Sequence, residues 1–210
     1  MTLPRALLVS LRPHQWTKNL LVVPAALVFS KHLFEADAAL RIGLALVVFC
    51  ALAGAVYLVN DLVDLERDRL HPRKRLRPLA SGALPVTVAR VAAVLLVVVG
   101  LGAGLVLGPG FGVASLAYVV LSLVYSFGLK NVVILDVLAV SLGFVLRAVA
   151  GALAIGVHFS SWLLVCTILL ALFLSLAKRR HELVLLDSSA SDHRSILSEY
   201  SPYLLDQMKK

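Results

Sequence analysis

The chain has 210 residues, 60% of them hydrophobic, and a mean hydropathy of +0.93. Soluble globular domains average roughly 45–50% apolar residues, so the composition excludes an ordinary soluble domain and points to an integral protein of the lipid bilayer. The formal net charge of +8 does not call for nucleic acid as a partner, because cytoplasmic loops of membrane proteins collect Lys and Arg.

Pro4, Arg12 and Pro13 interrupt the start, so the first residues do not read as a cleaved signal peptide. Hydropathy predicts six spans against the roughly 20 residues that a bilayer requires, the first of them short. The first is about Leu20–Phe34, with Pro24 inside it and an amphipathic lead-in at Arg12–Asn19. The others are about Ala38–Val59, Val86–Leu107, Gly112–Phe127, Val132–Ile155 and Ser161–Ala177. Pro85 suits the start of the third. Cys50 and Cys166 fall inside apolar runs and read as packing residues. The expected fold class is all-α, a polytopic membrane helical bundle of about six transmembrane helices forming a single membrane domain over 1–210.

The loops alternate in charge. Arg67, Arg69, Arg73, Lys74, Arg75 and Arg77 fall on one side with Lys130, Lys178, Arg179 and Arg180. Arg5, Arg12 and Lys18 join them if six helices alternate. The positive-inside rule places that side in the cytoplasm, within the cell's inner or plasma membrane.

The densest chemistry lies in Asn60–Gly82, between the second and third spans. Asp61, Asp64 and Asp68 sit at i, i+3 and i+7, the spacing of one helical face. Carboxylates so close repel one another, and a divalent cation would relieve them. The cations that follow would suit phosphates bridged by that ion. A solvated helix end, salt-bridged through Arg67, Arg69 and Glu66, is the alternative reading of the same spacing. Asp136 and Arg147 fall inside the fifth span, where a charge is costly and usually faces the bundle interior or a wet cavity. They lie eleven residues apart, roughly 16 Å along a helix, too far for a direct pair.

Asn60, Asp61, Asp64 and Asp68 fit the pattern N-D-x-x-D-x-x-x-D, and Arg77-Pro78-Leu79 with Ser81-Gly82 continues it. On these residues the chain resembles the UbiA superfamily of intramembrane transferases. Its decaprenyl-phosphate phosphoribosyltransferase branch is the most similar. That likeness is carried by Arg12–Asn19 (RPHQWTKN), His71-Pro72 with Lys74, Tyr125-Ser126 with Leu129-Lys130, Gly143-Phe144 to Arg147-Ala148, and Lys178-Arg179 with Glu182. Family members usually have nine transmembrane helices, so the chain is expected to be C-terminally short of them.

The resemblance implies transfer of 5-phosphoribosyl from phosphoribosyl pyrophosphate to a polyprenyl (decaprenyl) phosphate, with Mg2+ as cofactor. The product is a lipid-linked pentose for cell-wall arabinan. A prenyltransferase using a prenyl diphosphate and an aromatic or small lipid acceptor is the alternative, and a homo-oligomer is a possible assembly. Asp61, Asp64 and Asp68 become the catalytic metal ligands, and Asn60 offers them a neutral oxygen. Lys18, Lys74, Arg77, Tyr125, Lys130, Asp136, Arg147, Lys178, Arg179 and Glu182 become substrate-binding residues. Arg73 and Arg75 read as lipid-headgroup contacts. His71, before Pro72, reads as a turn-former as readily as an acid or base. Where aromatic prenyltransferases of the superfamily carry a second acidic motif, this chain carries Lys178 and Arg179. One of these is expected to hold a phosphate other than the departing pyrophosphate.

Overall fold

The computed structural model describes residues 1–30, 32, 34–132 and 134–186, without the side chains of 181–186. These residues form helices and turns, with no strand among them. In chain order the helices are α1 (Leu3–Ser10), α2 (Thr17–Val22), α3 (Ala25–Val28), α4 (Ala36–Val63), α5 (Leu65–Leu70), α6 (Val86–Leu107), α7 (Pro109–Phe127), α8 (Leu135–Ala154) and α9 (Ser161–Leu186). Five of them, α4 and α6 to α9, are long and apolar enough to cross a membrane.

The expected first span is not one helix. Pro24 has no N–H to donate, and the segment divides there into α2 and α3. The third span has the expected bounds. α4 is longer than expected, and its 28 residues rise about 42 Å against a hydrocarbon core of about 30 Å. Its surplus length carries Asn60 and Asp61 towards one end of the bundle. α9 continues past Ala177 to Leu186, because helical hydrogen bonding does not stop where hydropathy does.

α4 packs along α6, α7 along α8, and α8 along α9. Small residues permit the close approaches, as is usual where lipid removes the hydrophobic drive between helices. On α8 the buried positions include Ala139, Ser141, Gly143, Ala148, Ala150, Gly151 and Ala152. Gly151 lies so close to Val23 that a Cβ there would fall on the Val23 carbonyl oxygen. The broken N-terminal segment thereby docks on α8. Around this contact Phe49 meets Phe111 edge-on at 5.7 Å and Tyr118 at 5.4 Å, within a core shared by α4, α7 and α8. The outer faces of α6 and α9 remain apolar and exposed, through residues such as Val98, Val99, Leu169 and Phe173. Such faces suit lipid.

Candidate functional site

α4 ends at Asp64, whose backbone (φ −92°, ψ 7°) leaves helical geometry before α5 begins. The amide ladder survives the bend. Asp64 N–H donates to the Asn60 carbonyl at 3.0 Å, and Asp68 N–H to the Asp64 carbonyl at 2.8 Å. The acidic residues therefore share no single straight face, and they divide. Asp61 and Asp68, 3% and 2% exposed, turn inward together, while the half-buried Asp64 turns to another partner.

The loop after α5 supplies the first cations. His71 Nδ1 accepts the Arg73 and Lys74 N–H groups at 3.1 and 3.3 Å, so this histidine shapes the turn. Leu79 and Leu84 bury beneath the loop against Leu58, Ala89 and Ala93. With the loop so anchored, Arg77 Nη1 donates to Asp61 Oδ1 at 3.1 Å and to Asp68 Oδ2 at 2.5 Å. Lys74 Nζ lies 3.9 Å from Asp68 Oδ1. Two further cations arrive from afar. Lys130, in the turn between α7 and α8, donates to both oxygens of Asp64 at 2.6 and 2.8 Å. Arg12 Nη2 donates to Asp61 Oδ1 at 2.5 Å, its guanidinium 4.8 Å above the Tyr57 ring.

The three carboxylates thus meet four cations. Arg69 pairs with Glu66 at 2.9 Å on the exposed side, but the three aspartates pair with cations from separate segments and two of them are buried, unlike a solvated helix end. A hollow of about 380 Å³ opens beside Asp61, lined also by Arg12, His14, Arg73 and Arg77 among others.

Among the described residues no three His, Cys, Asp or Glu side chains converge on one point. Asp61, Asp64 and Asp68 do not form a ready-made three-carboxylate cage. The donor set nevertheless fits Mg2+. Asp61 and Asp68 place buried carboxylate oxygens on one shared cationic nitrogen, and Mg2+ commonly takes one or two carboxylates while phosphates and water complete its octahedron.

The remaining expected residues fall in three places. Asn60 is half-buried beside Asp61, and Tyr125 is half-buried near the end of α7. Asp136 and Arg179, both buried, form an ion pair at 3.0 Å that ties α8 to α9. Arg179, expected with Lys178 as a candidate phosphate contact, joins α8 to α9 through this pair. Lys178 beside it is exposed. Glu182 lies on α9, its side chain outside the described residues. Arg147 is buried at mid-helix, and among the described residues no carboxylate pairs with it. Nε donates to Asn19 Oδ1 at 2.7 Å, Nη1 to the Gly143 carbonyl at 2.9 Å and Nη2 to the Tyr118 hydroxyl at 2.9 Å. The Tyr118 and Phe144 rings flank its guanidinium at 4.6 and 5.3 Å. As expected from the spacing, Arg147 and Asp136 do not pair.

Lys18, half-buried on α2, has its pKa lowered to about 8, first by burial and then by the positive charges of Lys178, Arg147 and Arg12. Lys18 thus lies among positive charges, one of which, Arg12, belongs to the acidic cluster. Arg12 is the site residue that the motif reading missed. Its signal was an arginine in a polar segment before a proline, but nothing local tied it to a carboxylate 49 positions away.

Residues 20–181 match the UbiA prenyltransferase family. The chain belongs to that family. It is 40% identical over 199 residues to the decaprenyl-phosphate phosphoribosyltransferase of Corynebacterium glutamicum, covering 93% of this chain and 60% of that protein. It is likewise 40% identical over 202 residues to the enzyme of the same name from Mycolicibacterium smegmatis, covering 94% and 64%. The chain therefore spans under two thirds of the length of these curated relatives. A UbiA homolog from Archaeoglobus fulgidus bound to GPP and Mg2+ shares the fold, with a TM-score of 0.80 at 22% identity, covering 97% of this chain and 75% of that one.

Proposed function

We propose that this UbiA-family chain is a magnesium-dependent transferase moving 5-phosphoribosyl from phosphoribosyl pyrophosphate to a polyprenyl phosphate. The observation that carries this reading is the pair of buried carboxylates, Asp61 and Asp68, set among cations from two other segments, with a hollow beside Asp61. The similarity to two decaprenyl-phosphate phosphoribosyltransferases supports the choice of substrates.

In this reading Asp61 and Asp68 hold Mg2+, with Asp64 close by on the bend. When bound, the ion neutralises charge on the departing pyrophosphate. Arg77 and Lys74 hold its phosphate oxygens, as the planar guanidinium and the mobile ammonium suit. Lys130, carried by the turn before α8, is drawn from Asp64 towards the same group. Lys18 and Lys178 receive the 5-phosphate or the acceptor's phosphate.

The bond from C1 of the ribose to the pyrophosphate oxygen breaks, and its electron pair leaves with the pyrophosphate. A bond from C1 to an oxygen of the acceptor phosphate forms. That phosphate is anionic near neutrality and needs no strong base, so orientation and charge placement supply most of the acceleration. Tyr125, near the end of α7, contacts substrate in this reading, and Arg147 holds the bundle's interior in register through Asn19 and Tyr118. The basic side chains gathered at the site's end of the bundle support a cytoplasmic site and N-terminus. The chain acts as one membrane domain.

The test uses purified protein in nanodiscs with Mg2+, labelled phosphoribosyl pyrophosphate and polyprenyl phosphate. Label should pass to the lipid, and chelation should stop it. Transfer from a prenyl diphosphate to an aromatic acceptor, with no lipid-linked ribose label, would overturn the reading.

A further inference from the structure

Arg12 stands at the meeting point of the hollow, the acidic pair and the N-terminal segment. Its backbone is left-handed (φ 54°, ψ 62°), although it is not glycine and the residue before a proline is normally driven to extended geometry. Such an outlier persists only where surrounding structure enforces it, and it often marks a working side chain. Here it aims the guanidinium at Asp61 Oδ1, the same oxygen that Arg77 contacts.

The charges around this oxygen do not balance. Asp61, Asp64 and Asp68 face Arg12, Lys74, Arg77 and Lys130 in direct pairs. Arg73 adds a further cation on the wall of the hollow. The cluster is already positive before any ligand enters. A divalent ion entering alone would displace a guanidinium from Asp61 and leave it partly desolvated with no anion, which is strongly unfavourable. A diphosphate arriving with the ion changes the exchange. Its oxygens accept the displaced guanidinium, in the two-pronged geometry that arginine favours. The Tyr57 ring beneath Arg12 provides a surface on which the guanidinium can shift while keeping its ring contact.

We infer that Arg12 is a phosphate-binding residue of the donor site: it rests on Asp61, passes to the diphosphate when the ligand enters, and so makes the site accept metal and diphosphate together. This inference rests on the donor-site reading above and adds a residue and a binding rule to it. Arg12 acts at rest as a stand-in cation and in the complex as a ligand to the leaving group.

The experiment measures Mn2+ binding by electron paramagnetic resonance on the purified chain in nanodiscs, with and without inorganic pyrophosphate. In the unsubstituted chain, pyrophosphate should tighten Mn2+ binding about tenfold or more. In Arg12→Gln most of that gain should vanish, while Mn2+ alone should bind more tightly because Asp61 has lost a competitor. Arg12→Lys should fall between, keeping the charge but losing the fork. The opposed shifts distinguish this role from a structural one, since a disrupted fold weakens both measurements. Equal Mn2+ affinity with and without pyrophosphate in the unsubstituted chain would overturn the inference. So would an Arg12→Gln chain that keeps the full gain or loses both affinities together. If neither probe binds the unsubstituted chain, the donor-site reading fails as well.

Discussion

The two ends of α4 carry similar chemistry in contrasting settings. Near its start Asp37 pairs with Arg41 at 2.9 Å, one turn along the same helix, with both side chains exposed. Near its finish the buried Asp61 meets Arg12 and Arg77, which come from other segments. The first pair is screened and contributes little. In the second, a carboxylate withdrawn from water depends on every partner, and losing one leaves another charge exposed to a poor dielectric. The difference teaches that a carboxylate's worth here is set by which segments must assemble around it.

That contrast can be broken most forcefully at Asp68. Asp68→Ala leaves Arg77 without its shorter contact, and stability should fall by about 3 kcal/mol, with the proposed transfer lost. Denaturation in detergent and the labelled-transfer assay read the two effects. Gly151→Ala attacks the dock of the N-terminal segment instead. The added methyl meets the Val23 carbonyl and should cost about 1–3 kcal/mol. Its effect should exceed that of Gly102→Ala, a position with open space beside it, in a thermal-unfolding comparison.

Lys18 sharpens the comparison through pH. Its folded pKa of about 8 lies below the ordinary 10.5, so the unfolded chain binds the proton more tightly. Its contribution therefore makes stability rise with pH across the window from about 8 to 10.5, and disfavours the fold below it. A phosphate at Lys18 reverses the preference, because it favours the ammonium. Affinity for whichever substrate places its phosphate at Lys18 should accordingly weaken as pH rises above about 8, with proton uptake on binding. Calorimetry in buffers of different ionisation heat reads that uptake, and Lys18→Arg should remove the pH dependence. The smallest effect belongs to Asp37→Ala, expected within about 0.5 kcal/mol of the parent and neutral in transfer.

Much of this was legible in the sequence because it is local. Long apolar runs mark the spans, and the triplet of aspartates marks the candidate site. Pro24 already signalled the break in the first span, although hydropathy joined the two halves. The partners of the acidic residues were far less legible. Arg12 and Lys130 lie 49 and 66 positions from the carboxylates they contact, and only assembly brings them there. Arg179 illustrates the same point. Its pairing with the buried Asp136 on α8 is one that helical spacing cannot reveal.

Arg147 bears on how the chain enters its bilayer. A lone arginine at the centre of an inserting helix costs about 2.5–3.5 kcal/mol by translocon-insertion scales. Its acceptors outside α8, Asn19 and Tyr118, belong to α2 and α7, both synthesised earlier. When α8 reaches the translocon, the groups that solvate its arginine are already waiting, and the order of synthesis itself assists insertion.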